Sequence, residues 1–136
     1  MNEEIVKAYE ALRKKHSLPD FNTINSEFEI STIENPDFLL REIKNKIGEK
    51  IDFITSILLP VLQPDANSFN DLHECGVFSE EEKRGLLAFY SRLMTIHRDS
   101  LMISILNDDK LTADFVNETF KKWPELKKQA AGYVKR

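Results

Sequence analysis

The chain has 136 residues, 41% hydrophobic and 31% charged, with a formal net charge of −4. This is the composition of one soluble globular domain, too apolar for a disordered chain and too charged for a membrane one. A single cysteine, Cys75, excludes an internal disulfide, and no apolar run approaches the roughly 18 residues of a membrane span.

The first residues, MNEEIVKAYE, are acidic where a secretory signal is basic, so a cytoplasmic location is expected. Asn2 is placed to cap a first helix, with Glu3 and Glu4 in its first turn and Arg13, Lys14, Lys15 and His16 in its last. That polarity suits the helix dipole at both ends. Ile5, Val6, Tyr9 and Leu12 form its apolar stripe, and Leu18-Pro19-Asp20 breaks it. From Phe21 to Ile33 the spacing predicts a short helix, with Asp20 as its candidate cap, followed by an extended connector.

Asn35-Pro36-Asp37 reads as cap, first helical residue and dipole-facing acid of a long second rod over 36–62. Along it Leu40, Ile43, Ile47, Ile51, Ile54, Leu58 and Val61 recur at steps of three and four, a seam made for burial against other helices. Pro60 should kink or stop this rod, because an interior proline costs about 3 kcal/mol. The connection that follows is long enough to hold a short helix, Phe69–Glu74, with Ser68 as cap and Phe69, Leu72 and Cys75 turned inward. Gly76 is expected at its left-handed terminus.

Ser79-Glu80-Glu81-Glu82 is a capping box and opens a second long rod over 80–106. Its expected core stripe is Leu86, Leu87, Tyr90, Leu93, Met94, His97, Leu101 and Ile105, with Ile96, Ile103 and Leu106 on a neighbouring face. Thr112 is read as the cap of a helix carrying Phe115, Val116, Phe120 and Trp123. Pro124 should end that helix and begin a last one with Leu126, Ala130, Tyr133 and Val134. There is no internal repeat and no linker-like stretch. The expectation is an all-α, single-domain helical bundle over residues 1–136, with four main helices and one or two short accessory helices.

His97 is the most chemically suggestive position, a titratable ring on an otherwise apolar stripe. The plainer reading is a core histidine hydrogen-bonded to a neighbouring helix. Arg92 and His97 together have the spacing Arg-x4-His, which is similar to the arginine–histidine motif of the HEPN family of helical-bundle ribonucleases and nucleotide-binding proteins. That resemblance implies an arginine polarising RNA phosphate and a histidine in general acid–base work, across a dimer cleft.

Other chemistry has little support. His73 and Cys75 lack the partners of a zinc site, Glu-x-x-His is not repeated, and no metal or cofactor is expected. Gly48, Gly76, Gly85 and Gly132 stand alone, so there is no phosphate loop, and no serine elbow occurs.

Residues 110–136 carry seven Lys/Arg against three Asp/Glu, whereas residues 1–109 carry twelve against twenty. Arg98, Lys121, Lys122, Lys127 and Lys128 are therefore candidate binding residues, with Lys135, Arg136, Trp123 and Tyr133 able to complete a phosphate-facing patch. The plainer reading has the aromatics in the core and the lysines on the wet face of two helices. By elimination, the sequence points to a non-enzymatic interaction module whose partner is another protein or a second copy of itself. RNA- or nucleotide-directed activity through Arg92 and His97, and nucleic-acid binding through the lysine-rich end, are the alternatives.

Overall fold

Seven apolar side chains on one helix organise this molecule. A computed structural model describes residues 3–135; the expected cap Asn2 and the terminal Arg136 lie outside them. Leu40, Ile43, Ile47, Ile51, Ile54, Leu58 and Val61 are all buried along one face of a 24-residue helix, Leu39–Leu62. Fully burying such a side chain is worth about 1.5–3 kcal/mol, so the seam outweighs any local preference of the segments packed on it.

The described residues form six α-helices and one turn of 3-10 helix, with no strand: α1 (Glu3–His16), α2 (Phe21–Phe28), the 3-10 turn Ile30–Thr32, α3 (Leu39–Leu62), α4 (Phe69–Val77), α5 (Glu80–Leu106) and α6 (Asp109–Val134). The protein is an all-α bundle. Helix α3 is its axis, packed most extensively against α5 and α6, which also touch each other. Helices α1 and α2 cover a further side of α3, and α4 lies against it as well.

Helix ends depart from expectation in instructive ways. Asn35 does not cap α3. Its side chain accepts from the Asp37 amide in a local turn, and the helix begins at Leu39 after Phe38 in a left-handed conformation. Ser17, Glu29 and Asn107 are also left-handed, while no glycine has positive φ. Gly76, expected to end α4, lies inside it. Asp108, not Thr112, caps α6 by accepting from the Leu111 amide. The capping box of α5 is present in both halves, Glu82 amide to Ser79 hydroxyl and Ser79 amide to Glu82 carboxylate.

Neither interior proline breaks its helix. After Pro60, α3 continues only to Leu62, close to the expected end. Pro124 sits well inside α6, which runs on for ten more residues, so the two expected C-terminal helices are one. The reason is burial on both sides of the proline: Trp123 and Leu126 are both enclosed. Their combined burial exceeds the roughly 3 kcal/mol that an interior proline costs. After α2 the chain takes a 3-10 turn, where an extended connector was expected, and this lets Ile30 and Ile33 both face inward.

Distant segments are tied by polar contacts. The Tyr9 hydroxyl donates to the carbonyl of Pro19, and burial raises its pKa. Asn117 on α6 donates to the carbonyl of His16, satisfying a free acceptor at the end of α1. Trp123 and Lys127 both donate to Glu27 on α2, at 2.8 and 2.7 Å.

Candidate functional site

Helix α5 carries most of the candidate residues, and its rotation about its own axis decides their fate. It buries Leu86, Phe89, Leu93 and Ile96. Leu87, Leu101 and Ile105, expected in the core, are more than half exposed, and Tyr90 and Met94 are only partly covered. Leu86 and Leu93 of the expected stripe are buried, as is Ile96 from the neighbouring face, but the inward face is turned toward Phe89 and away from Leu87, Leu101 and Ile105. Apolar residues occupy so much of this helix's circumference that two stripes with three- and four-residue steps are available. Packing against both α3 and α6 selects the one containing Phe89 and Ile96.

That rotation separates Arg92 from His97. Arg92 turns toward α6, where its guanidinium donates to the Gln129 side chain at 3.0 Å and lies 3.8 Å from Glu125. His97 turns the other way, toward α3, with Nδ1 at 3.2 Å from an Asp52 carboxylate oxygen. Within one chain the two side chains share no cleft, and each has its partner on a different helix.

The basic residues are likewise dispersed. Lys127 is paired with Glu27, and Lys121 with Glu118 one turn away on its own helix. Lys128 and Arg98 are exposed, without an ion pair among the described residues. Trp123 is buried with its N–H on Glu27, so its face is not offered to a base. Tyr133 is half-buried and stacks on Phe89 with centroids 5.8 Å apart. Its hydroxyl lies 3.3 Å from where a Cβ on Gly85 would stand. On α4, Ser68 caps as expected, yet Phe69 is 89% exposed and Leu72 also faces out.

One arrangement does gather surface features into a site. The last turn and a half of α5 is apolar around most of its circumference: Leu101, Met102, Leu106 and, at 83%, Ile105 are each more than half exposed. Solvated helix ends are ordinarily polar, and contiguous exposed apolar surface marks interaction sites. A groove of about 320 Å³ runs from Met102 and Leu106 across to Leu111, Asp114 and Glu118 on α6, with Ile96 and Phe115 in its floor. Asp99, Asp114 and Glu118 line it against a single cation, Lys122. Lys110 pairs with Asp114 and Lys121 with Glu118, but both pairs are exposed and within one helix. Such pairs are worth a few tenths of a kcal/mol and exchange easily.

Helical spacing alone does not single out Met102 or Leu111. The available signal was the run Leu101-Met102-Ile103-Ser104-Ile105-Leu106, whose apolar residues point in too many directions to be buried together at a helix end. Comparison with known protein families, with characterised proteins and with solved structures finds no significant match to this chain.

Proposed function

We propose that this protein is a non-enzymatic protein–protein interaction module whose α5–α6 groove receives an amphipathic helix with a basic flank from another protein. The exposed apolar end of α5 carries this reading, because Met102, Leu106 and Leu111 form a rim of anchor sites over a partly open apolar floor. Helix-in-groove recognition uses such a surface, with partner side chains at three- and four-residue spacing entering it. The carboxylates of Asp99, Asp114 and Glu118 favour lysine or arginine beside those anchors. The reading includes a cytoplasmic setting, which a lone cysteine suits.

The separation of Arg92 from His97 and the enclosure of Trp123 support a binding role over catalysis or base stacking. The test is site-specific photo-crosslinking in the native cell from a photoreactive residue at Met102, with the same residue at Lys14 on α1 as control. A crosslink to a helical segment with apolar and basic residues, present from 102, absent from Lys14 and abolished by Leu106→Glu, supports the proposal. Crosslinks only to copies of this chain, or equal yields at both positions, would overturn it.

A further inference from the structure

A second cleft, which adjoins the α5–α6 groove through Ile103, has a different chemistry. It lies between the first turns of α3 and the last turn of α5, has a volume of about 350 Å³, and is lined mainly by polar groups. Arg41, Lys44 and Asn45 come from α3, Ser104 and Asn107 from the end of α5, and Thr112 from α6. No carboxylate lines it.

Lys44 is only 4% exposed, on a helix face otherwise given to isoleucine and leucine. Its ammonium donates to the Ser104 hydroxyl, which in turn donates to the carbonyl of Ser100. An ammonium has three hydrogens, and no acid pairs with this one among the described residues. Buried charges are ordinarily paired, since an unpaired one forfeits its hydration without compensation. Burial, and then the nearby Arg41, hold the Lys44 pKa below the usual amine value. Arg41 has no ion pair among the described residues either; its guanidinium rests 4.7 Å above the ring of Phe38, at the start of the same helix.

The end of α5 offers some compensation, because its last turn contains no basic residue and its free carbonyls amount to about −0.5 elementary charge. Two full cations still exceed that. Beside Ile103 and Ile105, the lining includes the Asn45 and Asn107 amides, which can donate hydrogen bonds as well. Donors and cations converging on a concave polar surface without a carboxylate make an anion site.

We propose that the Arg41–Lys44 cleft binds a small dianionic oxyanion, a phosphoryl group or a short dicarboxylate, with Lys44 as its buried countercharge and Arg41 as its outer clamp. A guanidinium matches two oxygens of either ligand in its own plane, while the ammonium acts as a point charge beneath. This proposal does not rest on the partner proposed for the α5–α6 groove.

The experiment is a titration of the isotopically labelled full chain with inorganic phosphate, and separately with malonate, at constant ionic strength set with chloride. Amide resonances and thermal unfolding are followed together. The expected result is saturable shifts centred on Asn45, Ile105 and Asn107, with a midpoint that rises with ligand. Tighter phosphate binding assigns the phosphoryl source, tighter malonate binding the dicarboxylate, and either supports the site. In Lys44→Met the shifts disappear, while the ligand-free protein melts higher than the wild type. Arg41→Gln, which leaves the interior untouched, binds about ten-fold more weakly, as loss of one charge-assisted contact requires. Shifts that do not saturate, that spread over Lys121–Lys128, or that persist unchanged in both variants would overturn the proposal.

Discussion

The indole N–H of Trp123 donates to the carboxylate of Glu27 at 2.8 Å, across 96 positions of sequence. The same carboxylate accepts from Lys127 through its other oxygen, so one side chain of α2 holds two successive turns on one face of α6, on either side of the proline of that helix. Contacts between Lys127 and Glu27, then Trp123 and Glu27, lower the Glu27 pKa from its ordinary 4.5.

A lowered carboxylate pKa in the folded state means that folding favours the ionised form. The contribution of Glu27 to stability is therefore complete above pH 4.5 and is lost as pH falls through the depressed folded value. Glu27→Gln should cost about 1–3 kcal/mol near neutral pH, the scale of hydrogen bonds to a charged group. Denaturant unfolding of both proteins as a function of pH should show the difference shrinking in acid. A constant difference would mean that the carboxylate's charge is irrelevant.

Lys44 should show the same sign from the opposite kind of group. Burial lowers the affinity of its amine for a proton in the folded state, so the unfolded chain binds that proton more tightly. Wild-type stability should rise relative to Lys44→Met as pH climbs from the depressed folded value to the ordinary 10.5. Near neutral pH the variant should be the more stable by about 1 kcal/mol or more, because an unpaired buried charge has been replaced by a methyl thioether. Paired thermal melts at neutral and alkaline pH measure both.

Glu29 ends α2 with φ of 54°, a conformation that costs a side-chain-bearing residue free energy and glycine almost none. Glu29→Gly should raise stability by about 0.5–1 kcal/mol. Phe38, also left-handed, is a poorer place for the same change because its ring lies under Arg41. The chemical-denaturation midpoint decides; a lower midpoint for Glu29→Gly would show that its flanking turn is held by something other than backbone preference.

On α5 the inner and outer stripes should behave oppositely. Leu93→Ala removes a fully buried side chain and should cost about 2–5 kcal/mol. Ile105→Glu changes a residue that is largely in water and should alter stability by no more than about 0.5 kcal/mol. If Ile105→Glu proves as damaging as Leu93→Ala, the rotation of α5 described above is wrong.

Arg92→Ala should be close to neutral, within about 0.5 kcal/mol, because Arg92 and Glu125 are exposed, Gln129 is only half-buried, and surface contacts of this kind contribute little. Calorimetry of this variant against Asp52→Asn, which removes the charge opposite His97, compares the two contacts directly.

Much of the fold was readable from local chemistry. The seven-residue seam of α3 is legible in the sequence, since a helix whose other faces carry charge has one way to bury its isoleucines. The Ser79 box was equally legible, because its two hydrogen bonds close within four residues. The candidate site was far less so. His97 and Arg92 sit five residues apart in sequence, yet the roughly 100° advance per residue of a helix lets them face different neighbours, and no spacing rule says which neighbours those are.

Three- and four-residue periodicity, capping residues and charge placement act within a turn or two of helix, and these alone were enough to determine an all-α bundle and the seven-residue apolar seam of α3. The tertiary structure decided the rest: which of two apolar stripes on α5 turned inward, that α6 ran straight through Pro124, and that Lys44 was enclosed without an acid beside it. Each of those outcomes depends on what a segment distant in sequence packs against it, and the free energy of that burial exceeds the local preferences a sequence displays.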